Sequence, residues 1–354
     1  MDLHRRLGLT WIVVAAASAS WAQVPGKPAG APDHLRLRVA HAYEKEHPFH
    51  KSFERFRDAL LAKSDGTIEA QIFPEAQLGN EQACVSLLRQ GVLDVTTVSA
   101  NGLEVVAPEV TFLDLLYLWK DRDHWRRAFD GEVGERMTDL IRKGSSKGGV
   151  PPFEVLGYWG GSDVHMLSAK RGYETVEDLA GVKIRVQNSP LQFELWKALG
   201  ASPMSLDLDK IKDALKGGVV EAVPLTNTTN EKQRFYEFAP HISQMGIAIV
   251  ARAFLMSGIT WSRLTMEQRG IVMAAAQEAT ATNRKLEAEL SDGALERIRK
   301  MPGVTIYAFR DRQKMREALR MVQERHADRL GLLDLLGRID QEWEKSAPAA
   351  RPKK

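Results

Sequence analysis

Glu177-Asp178-Leu179-Ala180-Gly181-Val182-Lys183-Ile184-Arg185-Val186, with the segment Leu191 to Leu199 behind it, reads as a strand followed by a helix. From Val182 to Val186 apolar and basic residues alternate, the period of a strand with two unlike faces. That alternation sets Val182, Ile184 and Val186 on the buried face and points Lys183 and Arg185 the other way. Gly200 ends the helix that follows. Thr175 to Asp178 makes a short helical turn ahead of the strand, Lys210 to Lys216 a short helix beyond it, and Gly218 to Pro224 a further strand-like run.

The same winding fills the first third of the chain. Leu35-Arg36-Leu37-Arg38-Val39-Ala40 alternates as a half-solvated strand, and Phe53, Phe56, Ala59 and Leu60 then recur at helical spacing until Ser64-Asp65-Gly66. Thr67 to Phe73 is a second strand, Asn80 caps a helix carrying Val85, Leu87 and Leu88, and Val92 to Val98 reads as a buried strand. Strands alternating with helices predict an α/β protein with mostly parallel sheets, whose ligand sites lie beyond the carboxyl ends of the strands.

Thr265 to Lys300 holds helix formers for more than thirty residues, with glycine only at Gly270 and Gly293 and no proline. Thr265 and Gln268 stand three apart as a capping box. One helix of that length would reach roughly 50 Å, enough to lie across two lobes. Two helices parted near Ser291-Asp292-Gly293 are the alternative.

Among the 354 residues, basic Arg5-Arg6 run into an apolar stretch from Leu7 to Ala17, and Ser20 and Ala22 sit where a signal peptidase reads. The run is too short for the roughly 20 apolar residues that span a bilayer. The expectation is an exported protein, periplasmic once residues 1–22 are cleaved, with 23–34 a flexible lead-in and 346–354 a disordered tail. The lone Cys84 excludes an intramolecular disulfide. A formal charge of +3 gives no electrostatic footprint for nucleic acid.

Eight blocks stand in one order: His47-Pro48, Ser64 to Ile68, Phe73-Pro74, Gln77 to Glu81, Gly91 to Asp94, Asp121 to His124, Glu177 to Val186 and Gly200 to Pro203. Together they resemble the solute-binding proteins of tripartite ATP-independent periplasmic (TRAP) transporters, the DctP-like family, from about Leu35 to Asp340. The resemblance implies a two-lobed periplasmic-binding-protein-like fold with a ligand cleft between the lobes and a long helix bracing both. It also implies delivery of a small organic acid to a TRAP-type membrane permease. Residues 35–158 with roughly 245–285 form the expected first lobe, and 159–244 with roughly 286–345 the second. A monomer with no cofactor is expected.

In that family the arginine matching Arg185 grips the ligand carboxylate, and a guanidinium fork suits two carboxylate oxygens. A surface arginine paired with an acid is the other reading. A second family arginine falls on His165 here, either a ligand contact or a histidine satisfied by backbone groups. The family asparagine falls nearest Leu225, so Thr226 or Asn227 would have to supply that contact. Departures at both places favour a monocarboxylate. Asn80 and Glu81 open a helix toward the cleft, where Glu81 meets a hydroxyl or ammonium, or stays a solvated acid. Ser99 and Asn101 end a first-lobe strand, and Asn188 follows Arg185. Trp159, Tyr236 and Tyr43 are aromatic lids or core residues.

Catalytic signatures are sparse. His47 and His50 have a metal-sharing spacing, but Pro48 disfavours the geometry and no further ligand completes a set. Gly157 to Gly161 lacks the capped helix of a phosphate loop, no Gly-x-Ser-x-Gly occurs, and Cys84 has no activating base. The expectation is a binding protein and not an enzyme. A ligand-presenting sensor shares the fold, and an exported hydrolase is the remaining alternative.

Overall fold

Residues 34–144 and 151–345 are described by a computed structural model. The expected signal peptide, all but the last residue of the lead-in, and the tail 346–354 lie outside the described residues. β1 (Leu35–Ala40) buries Leu37 and Val39 and exposes Arg36. α1 (Pro48–Lys63) starts on a proline, whose missing N–H costs nothing there, and buries Phe53, Phe56 and Leu60. β2 (Ile68–Phe73) then lies parallel to β1.

α2 (Glu81–Arg89) is capped by Asn80, whose side chain accepts from Ala83 N at 3.0 Å. β3 (Val95–Ser99) starts three residues later than the buried strand expected from Val92. Val92 is exposed, and Val92 N and Leu93 N donate to Leu87 O in the turn that ends α2. α3 (Ala100–Leu103), α4 (Arg122–Asp130) and α5 (Glu132–Lys143) lead to β4 (Phe153–Ser168).

The second lobe winds in the same sense through β5 (Lys183–Val186), α6 (Pro190–Ala198), β6 (Ser202–Ser205), α7 (Ile211–Lys216), β7 (Ala222–Thr226) and α8 (Asn227–Gln233). β5 runs parallel to β6 and β7. The strand expected from Gly218 begins at Ala222, because Val219 N and Val220 N still donate to Ala214 O in the turn after α7. β8 (His241–Ser257), α9 (Gly258–Arg263), α10 (Met266–Arg299), β9 (Thr305–Ala308), α11 (Arg312–Arg329) and α12 (Leu333–Lys345) complete the chain.

One sheet joins both lobes in the order β2-β1-β3-β8-β4-β7-β5-β6, with β9 on β8. The pairings within each lobe are parallel, as expected, and the sheet is mixed only through the two long strands: β8 is antiparallel to β3 and β4, and β4 to β7. β4 and β8 are long enough to serve both lobes, the first-lobe strands joining one end of the pair and the second-lobe strands the other. Their register breaks between Gly160 and Asp163, where the chain passes between lobes. Gly160 has φ +124°, and a Cβ there would stand 2.1 Å from Val250 O, so only glycine fits.

α10 is unbroken, and its capping box is formed by Thr265 and Gln268. Its buried face changes character along its length. Ala275, Ala276 and Ala279 join the first-lobe cluster of Phe53, Trp159 and Phe254, whereas Ile298 joins the second-lobe cluster of Leu167, Val223 and Phe235. Between them Asn283, Glu287 and Ser291, four apart, are buried polar residues. Two contacts bear on where the lobes divide. Trp159 packs among Phe53 and Phe254, and α12 packs on both α11 and α4, where Lys120 Nζ donates to Trp343 O at 3.2 Å.

Candidate functional site

The parallel strands of both lobes end on the same gap. β1 ends before His41 and Tyr43, β3 at Ser99, β5 just after Arg185, and β7 at Thr226. A cavity of about 400 Å³ lies there, lined from one side by Tyr43, Glu44 and His47 and from the other by Leu208, Thr228 and Lys232. That size falls in the usual range for small-molecule pockets, about 300 to 1,000 Å³. Larger hollows of about 580 Å³ by Arg36 and His50, and of about 800 Å³ between Tyr158 and Arg284 of α10, lack residues of the second-lobe strands, so neither bridges the lobes.

Arg185 is 6% exposed, so the strand does not turn it out to solvent as simple alternation implied. Its Nε donates to Leu206 O at 2.8 Å, two residues before the cavity-lining Leu208. Its two terminal nitrogens have no hydrogen-bond partner among the described residues, and no acid pairs with it there. Burial pulls its pKa below the ordinary arginine value, opposed by the charge of Asp207. A desolvated guanidinium whose terminal pair of nitrogens is open is a strong receptor for a carboxylate.

His165 lies on β4 opposite Leu225 of β7. Its Nδ1 accepts from Gly246 N at 3.1 Å, which leaves the proton on Nε2, and burial lowers its pKa. The ring is therefore a neutral donor held by backbone, not a second cation. Thr226 is committed to capping α8: its hydroxyl accepts from Thr229 N at 3.2 Å and meets the Thr228 and Thr229 hydroxyls. Asn227 is 2% exposed, and its Oδ1 has no partner. The neighbouring Asn230 is fully buried with neither side-chain polar atom paired. Unpaired buried amides are costly, and these two flank the cavity-lining Thr228 and Thr229 of α8.

On the first lobe, Glu81 does not stand as a solvated acid. It forms an ion pair with Arg252 of β8 and accepts from Ser99 N at 3.2 Å and Ser99 Oγ at 2.5 Å. Arg252 also donates to Thr97 O at 3.3 Å and lies 5.5 Å from the ring centres of Tyr43 and Phe49. Nearby, Ser162 donates to Glu287 at 2.5 Å, and burial raises the Glu287 pKa. Tyr43, Glu81 and Ser99 thus come together around an arginine that sequence reasoning missed. The signal for Glu287 was present in its four-residue spacing from Asn283 and Ser291; Arg252, inside an apolar run, gave none.

The remaining candidates differ in their surroundings. Trp159 has no exposed surface: its ring lies 4.4 Å from that of Phe254 and its Nε1 donates to Thr280 at 3.1 Å, so it is core and not a lid. Tyr236 packs on the Phe235 cluster. Asn80 is an exposed helix cap, Asn101 is exposed in the first turn of α3, and Asn188 is exposed two residues past β5. Among the described residues no group of His, Cys, Asp and Glu is arranged to hold a metal ion.

The profile of one family, bacterial extracellular solute-binding protein family 7 (DctP), matches residues 39–329. The chain belongs to that family. This family 7 chain is 30% identical over 302 residues to a solute-binding protein of Sulfitobacter sp. (strain NAS-14.1), covering 85% of this chain and 89% of that one. It is similar to the crystal structure of a TRAP periplasmic solute-binding protein from Sulfitobacter sp. with bound α-D-taluronate. There the identity is 28% and the TM-score 0.75, over 86% of this chain and 97% of that chain. A TRAP periplasmic solute-binding protein from Pseudomonas putida F1 with bound D-glucuronate is 26% identical, at TM-score 0.76 over 89% of this chain and 99% of that one. The fold is accordingly the two-lobed TRAP solute-binding fold. Family 7 proteins are periplasmic transport components, not enzymes; they bind small acids and work with membrane permease subunits. No helix among the described residues is long and apolar enough to cross a membrane.

Proposed function

We propose that this family 7 protein captures a hydroxylated organic acid with a single carboxylate, of the hexuronate kind, and passes it to a TRAP permease after its lobes close. Arg185 carries this reading: it is buried, lacks an acid partner among the described residues, and keeps its terminal nitrogens open. With His165 neutral, one carboxylate satisfies the charge. The unpaired Asn227 and Asn230 amides favour an oxygen-rich ligand body over a plain aliphatic acid. Two similar proteins hold uronates, each a monocarboxylate on a polyhydroxylated ring. The mature protein acts as a monomer after removal of residues 1–22, and the lobes hinge at Gly160 to Asp163.

Titration calorimetry tests this with D-glucuronate, D-galacturonate, pyruvate and succinate. A uronate binding at least about tenfold more tightly than the other two, or about 1.4 kcal/mol, supports the reading. Preference for succinate or pyruvate overturns it.

A further inference from the structure

The cleft has a second guanidinium, and its surroundings differ from those of Arg185 in one decisive respect. Arg252 has a side chain 10% exposed and makes both its hydrogen bonds through Nη2, to Glu81 and to Thr97 O. Its Nε is buried without a partner, and Nη1 has none among the described residues. The side chain is fixed from three sides, by the Glu81 carboxylate, by the Tyr43 ring and by the Phe49 ring. Ser99 fixes Glu81 in turn, through two hydrogen bonds to Oε1. Tyr43 also lines the cavity between the lobes, so the cluster stands at the cleft's first-lobe wall.

A guanidinium already paired with a carboxylate still has directed N–H donors but carries little net charge toward a ligand. Glu287, the other acid nearby, is held by Ser162, which donates to it at 2.5 Å, and makes no hydrogen bond to Arg252. The two walls therefore differ: Arg185 offers uncompensated positive charge, and Arg252 offers donors without it.

We propose that Arg252, neutralised by Glu81, is a specificity-determining contact that donates to uncharged ligand oxygens at the end away from the carboxylate, so that the cleft accepts uronates and rejects aldarates. This rests on the sugar-acid reading above. A hydroxyl or ring oxygen accepts from the paired arginine without meeting net charge, whereas a second carboxylate would face Glu81 with only half a counter-charge to share. Specificity then comes from a repulsive element as much as from an attractive one.

Calorimetry on the full mature chain with D-glucuronate and D-glucarate, the acid oxidised at both ends, tests the assignment. Wild type is expected to prefer glucuronate. Glu81→Gln uncovers the charge of Arg252 and is expected to shift the ratio of the two affinities toward glucarate by on the order of tenfold. Arg252→Gln is expected to weaken glucuronate by on the order of tenfold without that shift, and it decides the matter if Glu81→Gln does not fold. Variants that melt earlier but keep the wild-type affinities and ratio overturn the proposal and leave the pair a structural one. A wild type that binds neither sugar acid overturns the sugar-acid reading itself, and this inference with it.

Discussion

Asn283 of the long helix accepts a hydrogen bond from the backbone N–H of Gly160 at 2.9 Å, tying α10 to β4 at the point where the strand changes lobes. No side chain could stand at Gly160, with φ +124° and Val250 O 2.1 Å from its would-be Cβ. Gly160→Ala should therefore lose at least about 1 to 3 kcal/mol of stability to backbone strain. Denaturant unfolding checks this. A loss below about 0.5 kcal/mol, the range of an ordinary surface change, would mean the crossing is loosely held.

Arg185→Ala should weaken binding of the cognate acid by about 2 to 5 kcal/mol, the usual loss when one partner of a buried charge pair is removed. Arg185→Lys should recover only part of it, since an ammonium lacks the planar fork. Calorimetry with the best ligand reads both, and near-equal affinity for wild type and Arg185→Ala would take Arg185 out of the site.

Glu44 and Lys232 form an ion pair across the mouth of the cavity. Both are half-exposed, so the pair contributes no more than about 1 kcal/mol and is screened by salt. Lys232→Gln should speed ligand release up to about fivefold at low ionic strength. The difference from wild type should shrink at high salt. Stopped-flow displacement measures it, and a salt-independent difference would argue against an electrostatic latch.

Several histidines are held neutral by burial: His41, also repelled by His50 and His47, has its pKa lowered to about 3, and those of His124 and His326 fall to about 4. A free histidine titrates near about 6.5, so below that pH the unfolded chain binds protons that the native chain refuses. Stability should thus fall as pH drops from about 6.5 toward 4, and level off below the folded values. His124→Gln should reduce that slope by about one proton, or about 1.4 kcal/mol per pH unit. Melts between pH 4 and 8 test it; an unchanged slope would place the acid sensitivity elsewhere.

Local pattern carried much of the architecture. Period-two alternation located β1 and β5, helical spacing with caps located α1, α2 and α10, and ordered short blocks pointed to the family. β4 and β8 escaped because their partners change along their length, so one strand meets two environments and no single alternation describes it. Arg185 was legible because it sits in a motif beside a strand end. Arg252 was not, since only the fold brings it within reach of Glu81, 171 residues away. Sequence left Trp159 open as a lid or a core residue, because one strand pattern cannot show which side of the bend at Gly160 its ring packs on; the ring lies among Phe53 and Phe254.

β4 and β8 also bear on how the molecule comes apart. β8 hydrogen-bonds to β3 of the first lobe at one end and to β9 at the other, and β4, paired with β8 along its length, takes β7 of the second lobe at its far end. Melting one lobe would strip an edge from the sheet of its neighbour, so the two should unfold together in a single calorimetric transition. For the same reason no contiguous stretch of chain makes a complete lobe, and proteolysis should yield either the intact protein or small peptides, without a stable half.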